Sequence, residues 1–110
     1  MEELMKGDVV VLPFPFSDLT KSKKKPALVV ATLQGDDLIL CQITSEARRD
    51  DYSIILSKKD FMVGNLNLIS MIRPNRLFTA DKSIILYKIG SIKKPKIKEV
   101  ENEIIRIFTE

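Results

Sequence analysis

The chain has 110 residues, with 18 basic and 15 acidic side chains, a net charge of +3 and a hydrophobic share of 45%. That size gives one domain over residues 1–110 with its own hydrophobic core. Histidine is absent and cysteine occurs once, which excludes Ser-His-Asp and Cys-His catalysis within the chain, and a zinc site built on Cys and His ligands.

No apolar run approaches the roughly 20 residues that a membrane-spanning helix needs. The opening MEELMKGD carries acids and lacks the apolar stretch of a signal peptide. A cytoplasmic protein with no membrane association is expected. Cys41, inside the apolar run LILCQI, then reads as a buried thiol in a reducing compartment. No acidic cluster has calcium-loop spacing, so neither a metal nor another cofactor is expected.

Taken in chain order, VVVLPF (9–14) is the first predicted strand. The segment PFPFSDLTKSKKKP (13–26) is too polar and too rich in proline and lysine for a strand. It reads as a long exposed loop, and such loops in compact domains are commonly functional. Lys21, Lys23, Lys24 and Lys25 stand at its end with no acid among them. PALVVATL (26–33) and DLILCQIT (37–44) are strands joined by a hairpin turn at Gly35-Asp36-Asp37. Period-2 alternation places Gln42 and Thr44 on one face of the latter, and Ile39, Cys41 and Ile43 on the other, toward the core.

Arg48 and Arg49 precede Asp50 and Asp51 directly, so that block reads as nearly self-neutralised. YSIIL (52–56), NLISMIR (67–73) and SIILYKI (83–89) complete six predicted strands. Lys88, Lys93, Lys94, Lys96 and Lys98 form a second basic region. Two basic zones permit a polyanion partner, with a solvated surface as the default reading. In PKIKEVENEIIRIF the period changes: Ile97, Val100, Ile104, Ile107 and Phe108 fall on one helical face, and Pro95 suits the first turn. The predicted architecture is mainly β: a strongly curved, mostly antiparallel sheet or small barrel closed by one C-terminal helix.

The segments GDVVVLPFPFSDLTKSKKKPALVV (7–30), LILCQITS (38–45) and IRPNRLFTADKSIILYKIGSI (72–92) together resemble the MazF/PemK family of type II toxin–antitoxin toxins. The resemblance implies an SH3-like β-barrel of the CcdB/MazF type, working as a homodimer. It implies a metal-independent, sequence-specific endoribonuclease acting on single-stranded RNA and blocked by a cognate antitoxin.

The family's arginine before the second strand's proline matches Lys25, and its strand-end threonine matches Thr44. These are the expected catalytic pair. Lysine at that position keeps the charge and loses arginine's bidentate fork. Phe16, Ser17 and Asp18 match the RNA-facing loop: Phe16 to stack a base or pack in the core, Asp18 to read a base edge or hold a turn. Lys23, Lys24, Gln42, Ser45 and Arg73 complete the expected RNA-binding set. For Arg73 a phosphate contact and a structural ion pair stand level. Ser70 and Met71 occupy the place where some members carry an acid proposed as the base. Those departures leave a second expectation open, a toxin-fold protein that binds nucleic acid, antitoxin or gyrase without cutting RNA. An SH3-like peptide-binding module ranks lowest, because five Phe, two Tyr and no Trp furnish a poor aromatic groove.

Overall fold

The computed structural model describes residues 3–14, 23–46 and 50–110. Its strands are β1 (Asp8–Phe14), β2 (Lys23–Thr32), β3 (Asp37–Thr44), β4 (Ile54–Leu56), β5 (Phe61–Gly64), β6 (Ser70–Asp81) and β7 (Tyr87–Ile92), followed by helix α1 (Lys94–Thr109). They form one curled seven-stranded sheet in the order β4-β6-β3-β2-β1-β7-β5, every neighbouring pair antiparallel. The mainly β architecture with a terminal helix is as expected, with seven strands in place of six.

The central strands are continuous apolar runs because both of their faces are buried, not one. Val10, Leu12, Phe14, Ala27, Val29, Leu38 and Leu40 pack in one cluster. Val9, Leu28, Cys41, Ile43, Ile72 and Val100 pack in the other. α1 covers this second cluster through Val100, with Ile97 and Ile104 half-buried beside it. Phe108, predicted for the same stripe, is 72% exposed instead, in the helix's last turn. Ile39 is only half-buried, whereas Leu38 and Leu40 are buried.

Three boundaries differ from the expectation. β2 begins at Lys23, so Lys23, Lys24 and Lys25 are strand residues paired with Phe14, Pro13 and Leu12, not the end of a loop. Pro26 is tolerated because the ladder to β3 starts only at Ala27, leaving β2 with one neighbour where the N–H is missing. β6 runs through Pro74 to Asp81. The 83–89 run splits into a single 3-10 turn, Lys82–Ile84, and β7: Asp81 caps the turn by accepting from the Ser83 N–H at 2.8 Å. No helix among the described residues is long and apolar enough to cross a membrane.

Candidate functional site

The β2–β3 ladder ends at Ala27 opposite Gln42. Lys25 and Thr44 each lie two residues beyond this last pair. On the far side of β3, Gln42 faces Arg73 and Thr44 faces Met71. Partners across an antiparallel pair share a face, with Cα atoms about 4.5–5.5 Å apart. Gln42, Thr44 and Arg73 therefore share one face of β3 and β6, and alternation from Ala27 puts Lys25 on the same face of β2. This face continues the apolar surface of Ala27, Leu38 and Leu40, so the polar cluster sits at the end of a rigid, packed layer.

Thr44 Oγ1 accepts from the Glu46 backbone N–H at 3.1 Å, a local strand-end turn that fixes the hydroxyl. Its oxygen is thus occupied as an acceptor, and its proton is left to donate. Ser45 follows directly and is exposed. Lys25 is half-buried beside exposed Lys23. Alternation gives Lys23 the same face as Lys25 and gives Lys24 the opposite one. Ion pairs among the described residues involve Lys6, Arg73, Lys82, Lys88, Lys96 and Arg106, and not these lysines. Phe16, Ser17, Asp18 and Lys21 lie outside the described residues.

Arg73 is only 7% exposed. Its Nη2 donates to Asp50 Oδ2 at 3.3 Å, and its Nε has no acceptor among the described residues. The Asp50 carboxylate is held below the usual range, first by the Ser53 hydroxyl, then by the Ser53 and Tyr52 backbone N–H groups and by Arg73. Asp50 was not among the sequence candidates. Its proximity to two arginines in sequence suggested a self-neutralised block, whereas its described partner lies 23 residues away. Only the fold reveals that an acid from another segment pairs with Arg73. Among the described residues no three His, Cys, Asp or Glu side chains gather as a metal site.

β6 also departs from a regular ladder. Cys41 faces Leu77, yet Gln42 faces Arg73, so Pro74, Asn75 and Arg76 leave the pairing. Proline has no N–H to give a ladder, and bulges of this kind re-aim side chains next to functional sites.

A sequence comparison with curated proteins gives no match. Among solved structures, an endoribonuclease bound to its cognate antitoxin from a mycobacterial species superposes with a TM-score of 0.77 at 13% identity, covering 97% of this chain and 96% of that one. The Mycobacterium tuberculosis toxin MazF-mt6 gives 0.73 at 13% identity, with 93% and 96% covered. MazE–MazF from Deinococcus radiodurans gives 0.74 at 17% identity, with 94% of each chain covered. At such identities these similarities establish the fold. The family itself is established by a sequence model, described as the PemK-like, MazF-like toxin of type II toxin–antitoxin systems, that matches residues 5–108. The chain belongs to that family of type II toxin–antitoxin toxins.

Proposed function

We propose that the chain is a metal-independent endoribonuclease of the cytoplasm that cuts single-stranded RNA, acts as a homodimer and is held in check by a cognate antitoxin. Lys25 and Thr44 on one sheet face, each two residues beyond the last β2–β3 pair, carry this reading, with family membership as its context. Similar folds are known as endoribonucleases, one of them in complex with its antitoxin.

The chemistry is transesterification. The RNA 2′-oxygen attacks phosphorus, the O2′–P bond forms and the P–O5′ bond breaks. The 2′-hydroxyl proton leaves to a base, the O5′ alkoxide takes up a proton, and a 2′,3′-cyclic phosphate remains. Negative charge builds on the non-bridging oxygens, and fixed donors aimed there supply the largest share of catalysis. The Lys25 ammonium brings charge, and the Thr44 hydroxyl brings a positioned donor. Arg73, on the same face, is buried and ion-paired with Asp50 and so adds little free charge. Gln42 and Ser45 line the RNA path.

The test is cleavage of a varied RNA pool by the purified protein, with and without EDTA. Cleavage that survives EDTA and falls about 100- to 1,000-fold in Thr44→Ala, the usual loss for one transition-state donor, supports the reading. A Lys25→Ala variant loses cleavage as well. A folded protein that never cuts the pool excludes it. A lysine where the fork of an arginine is usual favours a second reading, binding without cleavage. That outcome appears as a pool retained and uncut, with cutting gained in Lys25→Arg.

A further inference from the structure

The bulge in β6 opens a cleft of about 240 Å³ lined by Phe14, Gln42, Arg76, Leu77 and Phe78. A regular ladder continuing from Cys41–Leu77 would have set Arg76 directly against Gln42. The break takes Pro74–Arg76 out of the ladder and pairs Gln42 with Arg73 instead. The cleft is walled by two aromatic rings in edge-to-face contact, Phe14 and Phe78, with centroids 5.2 Å apart and planes at 76°. Phe14 is buried and fixed in the core, and Phe78 is half-buried and offers the accessible surface. Gln42, half-buried, places an amide with both donors and an acceptor inside the cleft. Arg76, exposed, stands at its rim.

We propose that this cleft receives one unpaired nucleobase of the RNA, that of a nucleotide beside the scissile phosphate, and that Gln42 reads its edge. The proposal rests on the endoribonuclease reading and assigns that site a specificity pocket. The volume is below the roughly 300–1,000 Å³ of drug-sized sites and suits a single planar ring system. Aromatic walls, an amide and a rim cation are the groups by which proteins hold splayed-out bases: stacking, edge hydrogen bonds and a phosphate contact. Position supports the same ligand. Gln42 lies two residues from Thr44 on one strand face, about 7 Å away along β3, and Lys23 and Lys25 of β2 sit on the same sheet face.

The test selects RNAs from a randomised pool, read both as cleaved ends and as molecules bound when the cleavage step is blocked by 2′-deoxy nucleotides. Wild type is expected to show a strict preference at one position next to the cut. Gln42→Glu replaces the amide donor with an acceptor and is expected to change the preferred base there and nowhere else. Phe78→Ala is expected to weaken binding of the uncut RNA about 5- to 150-fold, the range for losing one base stack. Phe78→Leu, which keeps the packing volume, weakens it in the same direction and secures the test if the alanine variant does not fold. Arg76→Ala lowers affinity and leaves the base preference as it was. Unchanged preference in Gln42→Glu together with unchanged affinity in Phe78→Leu overturns the pocket while RNA cleavage stands. A wild-type protein that neither binds nor cuts the pool overturns the endoribonuclease reading, and the pocket with it.

Discussion

Asp50 organises the loop before β4. It accepts from the Tyr52 and Ser53 backbone N–H groups and the Ser53 hydroxyl, and it holds the buried Arg73 guanidinium. These donors favour the carboxylate and lower its pKa. A depressed folded-state pKa adds stability that is complete above the unfolded value, near 3.9, and disappears as pH falls through the folded one. Acid denaturation of wild type is therefore expected to steepen below about pH 4, while Asp50→Asn shows a shallower acid limb and a lower melting temperature at neutral pH. Parallel acid limbs in the two proteins would show that Asp50 carries no such linkage. Cys41 offers a second residue-level test. It is fully buried, and burial pushes its thiol up to about 12. Because the thiolate is the reactive form, an aromatic disulfide reagent at pH 8 is expected to leave the native protein unmodified and to label it once in denaturant. Rapid native labelling would mean that the β3 core opens readily.

At the scale of elements, the tightest constraint is the crossing of β5 and β7. A Cβ on Gly64 would meet the Ile89 carbonyl oxygen at 2.1 Å, and one on Gly90 would meet the Val63 carbonyl oxygen at 2.1 Å. Gly64 also has φ +78°, where an L-residue costs about 1–2 kcal/mol before any clash. Gly64→Ala is expected to destabilise the protein by more than about 2 kcal/mol, read by urea denaturation, whereas Gly35→Ala, whose Cβ meets nothing within 4 Å, is expected to incur the φ strain alone. Equal losses in the two variants would refute the crowding argument. β5 escaped the sequence because FMVG is only four residues long and shows no period. β1, β3 and α1 were legible because their apolar runs and helical stripe are long. β6 was cut short at Arg73 because Pro74 reads as a strand end, although here it sits in a bulge within a longer strand. Alternation on β3 was enough to pair Gln42 with Thr44. Putting Lys25 on the face of Thr44, and Asp50 onto Arg73, needed the register and the path of a distant loop, which local pattern does not encode.

Across the whole molecule, the net charge of +3 matters less than which cations are already neutralised. The second basic region is partly spent within the fold. Lys88 pairs with buried Asp8 at 3.3 Å, and Lys96 lies against Glu99 at 2.9 Å and Asp60 at 3.8 Å. The β2 lysines form no ion pair among the described residues, and Lys23 and Lys25 share the face of Thr44. Anion binding should therefore draw on that end of the sheet. For single-stranded RNA, each phosphate contact contributes about 0.7 to the slope of log affinity against log salt. Lys23→Gln is expected to flatten the salt dependence of binding to uncleavable RNA by about 0.7. Lys24→Gln, on the opposite face, and Lys93→Gln, at the start of α1, are expected to leave it close to wild type. A salt slope that flattens equally in all three variants would mean that the RNA responds to overall charge and not to the face that carries Lys25 and Thr44. The approach of substrate would then owe nothing to the face that those two residues share.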